Sequence, residues 1–328
     1  MHYALRVKLA LILSMFIGHV VAQEVTIMSY NCENAFDTLH DVGCDDFEYM
    51  PDGIRHWSRW RMYEKLRGVC QVIMSADTLR PVDIVCLEEV ENDTVLTYLT
   101  RRTALSQVGY SYVMTHSADR RGIDVALVYS PFTVRLLRHR SIRPATSSPT
   151  RDILHATFLV HGRDTLDVFA LHMPSRLGGR AATRNREAVA DALLDAADSL
   201  NRVRQKPYIV VVGDMNDGPR SRLMRHSFAQ YINLADTKSK AQPHYDIRGN
   251  QLVRGSYKYQ GAWENIDQIL LSASLRQSVV KSEILALPFL LEPDLRYGTI
   301  QPRRTFTGYT YNGGISDHLP VMLRLRLQ

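Results

Sequence analysis

The chain has 328 residues, of which 45% are hydrophobic and 23% are charged, and its formal net charge is +6. This length and composition suit one large α/β domain with a substantial core, and they exclude a repeat protein or a low-complexity chain. The mild basic excess tolerates phosphate-bearing partners, but composition alone names no substrate.

The first 22 residues predict export. Arg6 and Lys8 precede the apolar run LALILSMFIGHVVA, and the small residues Val20 and Ala22 have the spacing of a signal peptidase site. The run is short for a bilayer span, and an uncleaved anchor is the alternative. We therefore expect a signal peptide over residues 1–22, a mature domain over 23–328 without a transmembrane segment, and a periplasmic or secreted protein.

The four cysteines all lie in the first third of the chain. Cys86 is inside the apolar run DIVCLEEV and Cys70 is on the apolar face of a helical pattern, so both are predicted to be core thiols. Cys32 and Cys44 are the one pair that remains as a disulfide candidate in an exported protein. No spacing resembles a zinc site.

Strand-like runs recur from end to end, and in chain order they are VTIMSYN, DIVCLEEV, YSYVMTH, DVALVYS, TLDVFALHM, YIVVVGD, IDQILLS and HLPVMLRLRL. Two amphipathic helices are predicted between them, one after the N-cap Ser58 and one from Thr183. Some connections between neighbouring runs are short enough for hairpins and others contain helices, which indicates mixed sheets in a layered sandwich.

Several predicted strands end in polar side chains. The run Ile209–Val212 has no polar alternation, as expected of a strand buried on both faces, yet it leads into GDMND. Carboxylates, amides and histidines stand at corresponding places elsewhere: Asn31, Glu33, Glu88, Glu89, Glu91, His172, Asp267, Asp317 and His318. Oxygen ligands of this kind suit Mg²⁺, and histidines beside them suit proton transfer. Taken singly, each residue is also explained as a turn, a helix entry or a structural histidine.

Seven segments in sequence order resemble the signature segments of the endonuclease/exonuclease/phosphatase superfamily, whose members include deoxyribonuclease I. They are SYNCENAFD, CLEEVEN, RGIDVALVY, LHMPS, GDMND, IDQILLS and SDHLPV. The resemblance spans about residues 25–327. It implies a four-layer α/β sandwich, with two mixed β-sheets packed face to face and helices outside, and a Mg²⁺-dependent phosphoester hydrolase in which Mn²⁺ can substitute.

The resemblance also implies roles for the groups around the metal and the water. Glu89 corresponds to the principal metal ligand, Asn31 lies beside it, and Asp317 lies near the metal. Asp214 is expected to position or deprotonate the attacking water, and Asn216 to hold a phosphate oxygen.

The histidines and one departure from the family pattern follow from the same resemblance. His318 is expected to pair with Asp267, which keeps its ring oriented and cationic, and His172 to contact the phosphate. The position before the metal-binding glutamate is often glutamine in this family, whereas here it is Glu88. An additional charge there tightens metal binding or repels the substrate phosphate, and the sequence leaves both outcomes open.

Two stretches are candidates for substrate contacts. HMPSRLGGRAATRNR supplies Arg176, and YGTIQPRRTFTGYTYNGG places Arg303 and Arg304 among aromatic residues. Basic groups interleaved with aromatics suit a nucleic-acid strand, although a solvated helix face and a surface loop explain them equally well. We therefore expect a monomeric nuclease with no protein partner. The alternatives are a phosphatase or phosphodiesterase for a small or lipid-linked substrate, and a non-catalytic binding protein.

Overall fold

The structure is a computed structural model that describes residues 24–77, 80–235 and 253–327. The signal peptide expected over residues 1–22 lies outside these ranges. Two six-stranded sheets, each with parallel and antiparallel neighbours, pack face to face with helices on their outer faces. The predicted four-layer α/β sandwich is therefore confirmed.

The first sheet supplies one face of the central core. Its strands are β1 (Glu24–Ala35), β2 (Ile84–Val90), β3 (Ser111–Met114), β4 (Asp124–Tyr129), β13 (Val279–Ile284) and β18 (Val321–Arg326). Their order across the sheet is β13-β18-β1-β2-β4-β3, with β1 and β2 parallel and the other neighbours antiparallel. Because both faces are covered, β1 and β2 are almost continuously buried.

The second sheet contains β5 (Val134–Ile142), β6 (Ile153–Val160), β7 (Asp164–His172), β8 (Tyr208–Asp214), β9 (Ile232–Asn233) and β12 (Asp267–Leu271). Their order is β5-β6-β7-β8-β12-β9, and only β7 and β8 are parallel neighbours. The strand-like runs predicted from the sequence omit β5, β6 and the two-residue β9 of this sheet, and β13 of the first sheet. β5 is an arginine-rich edge strand whose pairing shifts register after Leu136, so its pattern does not alternate regularly.

Three small hairpins lie outside the two large sheets. They are β10 (Tyr257–Tyr259) with β11 (Ala262–Glu264), β14 (Leu291–Asp294) with β15 (Thr299–Pro302), and β16 (Phe306–Thr307) with β17 (Thr310–Tyr311). Short 3₁₀ helices occupy Phe47–Tyr49, Ala104–Val108, Arg176–Gly178, Ala273–Ser278 and Pro288–Leu290. The β10–β11 hairpin reaches the polar strand ends, because Tyr257 forms an isolated β-bridge with His318.

Four α-helices cover the sheets: α1 (Arg59–Ser75), α2 (Asp93–Arg102), α3 (Gly179–Val203) and α4 (Arg222–Ser227). α1 and α2 pack on the first sheet, and α3 and α4 on the second. Ser58 caps α1 as predicted, because its hydroxyl accepts a hydrogen bond from the Arg61 backbone N–H at 3.3 Å. α3 begins at Gly179, four residues before the predicted Thr183. Within the described ranges, no helix combines the length and the apolar character of a membrane span.

The cysteines divide between core and loop. Cys70 and Cys86 are buried, as predicted. The candidate disulfide between Cys32 and Cys44 is absent, because both thiols are free. Cys32 points into the core, where its thiol approaches the Tyr30 carbonyl at 3.6 Å, whereas Cys44 lies on a loop against Gly122. The two side chains therefore have different surroundings.

Candidate active site

The polar end of β8 meets the polar ends of both neighbouring strands. In register, His172 at the end of β7 pairs with Asp214 at the end of β8, and Asp214 pairs with Asp267 at the start of β12. All three side chains are buried. The buried run Ile209–Val212 therefore carries Asp214 to one edge of the sandwich, where a cleft of about 530 Å³ opens.

The glycine before Asp214 is required by the close approach of β7 and β8. Gly213 has φ +146°, and a Cβ atom added to it would lie 1.8 Å from the Leu171 carbonyl oxygen. A residue with a side chain cannot occupy this position without moving one strand away from the other. Gly213 thus allows His172 and Asp214 to be side by side.

The first sheet brings its carboxylates to the cleft through bulges. The pairing of β1 with β2 shifts register after Asn31, and the pairing of β2 with β4 shifts after Glu88. Within these irregular segments Glu33, Asn34 and Glu89 have φ values of +50°, +61° and +60°. Non-glycine residues rarely adopt this conformation, and bulges of this kind redirect side chains near functional sites.

Glu89 is held at the cleft by one carboxylate oxygen and presents the other. Its Oε2 accepts a hydrogen bond from the Asn34 backbone N–H at 2.9 Å. Its Oε1 lies 4.0 Å from His172 Nε2 and 3.8 Å from an Arg121 guanidinium nitrogen. The carboxylate therefore faces His172 across the junction of the two sheets.

His318 and Asp267 form a buried pair between the two sheets. His318 Nδ1 lies 3.1 Å and 2.9 Å from the two Asp267 oxygens, so the contact predicted from the sequence is present. Burial alone lowers a histidine pKa, but the negative charges of Asp267, Asp317 and Asp214 raise the pKa of His318 well above its usual value. The Tyr257 ring lies over the imidazole with 4.7 Å between centroids. His318 is thus held as an oriented cation.

Asp214 is bound on both carboxylate oxygens. Oδ1 accepts from the Asn216 backbone N–H at 2.7 Å, and Oδ2 accepts from the Asn31 side-chain amide at 3.1 Å. Burial and the charge of Asp267 raise the pKa of Asp214 to about 7. Asn216, which has φ +47°, also donates to the Met173 carbonyl at 3.0 Å, so its amide connects β7 to the end of β8.

His172 has the opposite electrostatic character from His318. Burial, followed by the charges of Arg151, Arg121 and His318, lowers the pKa of His172 well below its usual value. Its Nε2 lies 3.6 Å from Asp214 Oδ2, and its buried Nδ1 has no hydrogen-bond partner among the described residues. His172 is therefore a neutral imidazole between Asp214 and Glu89.

The donor set fits a cation that prefers oxygen ligands. One group of side chains is close enough together to hold a metal ion, namely Asp214, Asp267 and His318. However, Asp267 is already hydrogen-bonded to His318 Nδ1. Glu89 Oε1 accepts no hydrogen bond from the described residues, and the Asn31 amide oxygen is nearby, where it accepts only the Glu33 N–H. These oxygens, with the Asp317 carboxylate at the same cleft, match the ligand preference of Mg²⁺.

Glu88 does not point into the cleft. It is fully buried, and its Oε1 accepts from the Ser29 hydroxyl at 2.7 Å and from the Cys86 thiol at 3.0 Å. Burial is the main cause that raises the pKa of Glu88 to about 8. The neutral carboxyl therefore predominates at pH 7, so Glu88 resembles the glutamine that is often found at this position.

The three predicted substrate arginines have different locations. Arg176 is at the rim of the cleft and forms an ion pair with Glu264. Arg304 pairs with Asp317 at 3.1 Å, next to the cleft. Arg303 lines a separate groove beside α1, so the structure does not bring this side chain to the cleft.

Two arginines of the site have no role assigned in the sequence analysis. Arg121 lines the cleft with a 45% exposed side chain and donates to the Asn34 side-chain oxygen at 3.2 Å. Arg151 is buried and donates to the carbonyls of His172 and Met173 at 3.2 Å and 2.8 Å. Arg121 belongs to the segment RGIDVALVY, which was a sequence signal for it, whereas no motif marked Arg151.

Comparison with known proteins identifies the family of the chain. The model of the endonuclease/exonuclease/phosphatase family matches residues 26–327, so the chain belongs to this family. Members of the superfamily are phosphoester hydrolases and generally depend on divalent metals. No curated protein sequence matches the chain.

Solved structures share the fold at low sequence identity. A functionally unknown conserved protein from Enterococcus faecalis has a TM-score of 0.60 at 16% identity, covering 93% of this chain and 100% of its own. A mannosyl-6-phosphatase from Bacteroides thetaiotaomicron has 0.60 at 16%, covering 92% and 100%. TDP2 from Caenorhabditis elegans has 0.58 at 15%, covering 93% and 75%. At these identities the likeness establishes the fold alone.

Proposed function

We propose that this protein is a Mg²⁺-dependent phosphoester hydrolase in which the residues of this cleft carry out the reaction. The observation that carries the proposal is the buried Asp267–His318 pair beside Asp214 and Glu89, at the junction of two sheets. A cationic imidazole, an acceptor carboxylate and a partly free carboxylate are the groups that hydrolysis of an anionic ester requires.

Glu89, Asn31 and Asp317 are the proposed metal ligands. When bound, Mg²⁺ supplies positive charge that polarises the phosphoryl group, and Mn²⁺ can replace it. Asp214, whose carboxylate is fixed by Asn31 and Asn216, orients a water molecule and accepts its proton.

The histidines act on the phosphate oxygens. His318 remains cationic through Asp267 and donates from Nε2, the ring nitrogen that Asp267 does not occupy. His172, a neutral imidazole, donates one hydrogen bond without adding charge. Asn216 is the remaining amide at this position, and it is proposed to contact a phosphate oxygen.

A nucleic-acid phosphodiester is the first substrate candidate. Arg176 at the rim, Arg304 beside Asp317, and the rings of Tyr257 and Tyr259 along the cleft supply charge and stacking surfaces for a strand. The location of Arg303 removes one predicted contact from this surface.

A small phosphomonoester is the second candidate, and Arg121 favours it. Its guanidinium lies inside the cleft, and its carboxylate neighbours Glu89 and Asp119 are 3.8 Å and 3.9 Å away. Donors that are not closely paired can bind the two charges of a terminal phosphate.

A substrate panel separates these possibilities. Purified protein is assayed with single- and double-stranded DNA, RNA, bis-p-nitrophenyl phosphate, p-nitrophenyl phosphate, mannose 6-phosphate and sphingomyelin, with Mg²⁺ or with excess chelator. We expect chelator-sensitive cleavage, strongest on nucleic acid, that is lost in His318→Ala. Preference for the monoesters would favour the second candidate. Full activity in chelator, or none on any substrate, would contradict the proposal.

We also propose that the protein is exported and acts as a monomer. The proposal of export rests on the charged and apolar pattern of residues 1–22. Sequencing the N-terminus of protein recovered from the native cell envelope or medium is the test. A sequence that begins near Gln23 is expected, and one that begins at Met1 would contradict cleavage. Light scattering of the purified protein tests the monomer.

A further inference from the structure

A second group of carboxylates lies outside the cleft, on the loop that follows β1. Asp37, Asp41 and Asp46 are on this loop, and Glu91 follows β2. We call these four residues the loop carboxylate cluster. Asp37, Asp46 and Glu91 are 4%, 0% and 3% exposed, so three of the four carboxylates are removed from water.

Hydrogen bonds draw the cluster together. The Asp37 backbone N–H donates to Glu91 Oε2 at 2.6 Å, and the Asp41 N–H donates to Asp46 Oδ2 at 2.7 Å. One side-chain nitrogen, Asn92 Nδ2, donates to Asp37 Oδ2 at 3.2 Å and to Asp41 Oδ2 at 3.1 Å. Those two oxygens are therefore separated by no more than two hydrogen-bond lengths.

The loop carboxylate cluster is buried without enough positive charge beside it to neutralise its carboxylates. Among the described residues no lysine or arginine forms an ion pair with any of the four carboxylates, and His40, beside Asp46, is the only basic partner. Buried carboxylates without a cation are costly. By contrast, Asp119 contacts Arg151, and Asp317 in the cleft contacts Arg304.

One oxygen of the cluster has no partner of any kind. Glu91 Oε1 is buried and has no hydrogen bond among the described residues, while Oε2 of the same carboxylate is bound to the Asp37 N–H. Because both oxygens belong to one carboxyl group, the unpartnered Oε1 lies beside the Asp37 backbone, on the loop that carries the other three carboxylates.

We propose that the loop carboxylate cluster binds a Ca²⁺ ion. Ca²⁺ takes six to eight oxygen ligands in flexible geometry, including monodentate and bidentate carboxylates, and waters complete the set. An ion at this position would neutralise the buried charge and give Glu91 Oε1 a partner. A closed set of carboxylates on a loop fits a structural ion rather than a catalytic one.

This ion would also support the cleft. The Asp45 backbone N–H donates to the Arg120 carbonyl at 2.6 Å, which connects the loop after β1 to the loop that carries Arg121. Glu91 is two residues after Glu89, and Asp37 is three residues after Asn34, whose N–H holds the Glu89 carboxylate. Ordering of the cluster therefore restricts the backbone on which Glu89 and Arg121 are placed.

The test is a Ca²⁺ titration by isothermal calorimetry on chelator-treated protein that carries Glu89→Gln, which weakens metal binding in the cleft. In this background Asp41→Asn, at the half-buried member of the cluster, is compared with Asp52→Asn, an exposed residue with the same charge change. We expect one Ca²⁺ bound with a Kd of about 10⁻⁶ to 10⁻³ M. Binding should weaken at least tenfold in Asp41→Asn and not in Asp52→Asn.

Thermal unfolding gives a second readout that does not use activity. Ca²⁺ should raise the unfolding midpoint of the Glu89→Gln protein and of Asp52→Asn, and at the same Ca²⁺ concentration it should raise that of Asp41→Asn less. Circular dichroism shows whether Asp41→Asn is folded, and Glu91→Gln replaces it if it is not. No binding at about ten times the upper Kd would overturn the proposal. Equal binding by Asp41→Asn and Asp52→Asn, or binding to wild-type protein that Glu89→Gln abolishes, would also overturn it.

Discussion

The two sheets deliver side chains to the cleft in different ways. In the first sheet β1 and β2 lose register near their ends, and Glu33 and Glu89 reach the cleft from left-handed backbone. In the second sheet β7, β8 and β12 stay in register up to the cleft, so His172, Asp214 and Asp267 form one row. The first arrangement stores backbone strain of about 1–3 kcal/mol per residue, whereas the second concentrates buried charge.

The contrast explains how neighbouring groups acquire different properties. A bulge can turn a single carboxylate towards the cleft while its neighbour remains inside, as Glu89 and Glu88 show. A regular row instead buries Asp214 beside Asp267, and burial together with the Asp267 charge raises the pKa of Asp214. The His318 cation between the sheets balances these carboxylates.

Removing the His318 cation should have the largest effect on activity. His318→Ala is expected to lower kcat by about 10²-fold to 10⁴-fold, or roughly 3–5 kcal/mol of barrier. Asp267→Asn should lose less, and the double variant should be little worse than His318→Ala because the two residues act as a unit. Steady-state kinetics on folded proteins measure this. Additive losses, or near-native turnover of His318→Ala, would show that the pair is structural.

The pH dependence of the same pair provides a signed test. Asp267 is the main group that raises the pKa of His318, so the cationic form persists to higher pH in the native protein. Asp267→Asn should move the alkaline limb of the kcat profile to lower pH. By linkage, the stability that the raised pKa of His318 contributes is fully present at a pH below the usual histidine pKa. It is lost as the pH rises through the pKa of His318 in the folded protein. An unchanged alkaline limb would contradict this assignment.

Gly213→Ala should disrupt the regular row of the second sheet. A Cβ there would collide with the Leu171 carbonyl, so the free energy of unfolding should fall by at least about 3 kcal/mol. Gly218→Ala is the matched control, because a Cβ at Gly218 meets no atom within 4 Å. The control should stay within about 0.5 kcal/mol of wild type in urea unfolding. Similar losses in both variants would argue against the steric explanation.

Glu89→Gln tests the bulged end of the first sheet. The neutral amide binds a hard cation less well, so the Mg²⁺ concentration for half activity should rise by about tenfold or more. Glu187→Gln, at an exposed position on α3, is the control and should leave this concentration unchanged. Activity titrated against Mg²⁺ distinguishes the two. An unchanged metal requirement in Glu89→Gln would assign the metal to other ligands.

Glu88→Gln should have the smallest effect. The carboxyl is mostly neutral at pH 7, so activity there should change by less than about threefold. Its folded pKa of about 8 exceeds the usual value of 4.5, so the wild-type protein loses stability as pH rises between these values. Gln has no proton to release, and the variant should therefore be the more stable protein at pH 9. Thermal unfolding of both proteins at pH 6 and pH 9 measures the difference. Equal unfolding curves for wild type and Glu88→Gln at pH 9 would show that Glu88 carries no destabilising buried charge.

Local patterns in the chain were sufficient for much of the fold. Ile209–Val212 indicates a strand covered on both faces, and Ser58 begins a helix whose apolar face packs on the first sheet. β5, β6, β9 and β13 of the large sheets were not among the strand-like runs predicted from the sequence. For β5 the reason is that an edge strand with a bulge and many arginines has no clear alternation. The pattern of Cys32 and Cys44 likewise does not reveal that one thiol points into the core and the other into a loop.

The chain by itself determined which residue types stand at the strand ends, because period and composition are local properties. Tertiary structure decided which of them meet. Asp214 and Asp267 are 53 positions apart, and Asp214 and Asn31 are 183 apart, yet register and sheet packing place them in one cleft. The protonation states of Glu88, His172 and His318 also depend on burial and on charges from distant segments, which no local pattern contains.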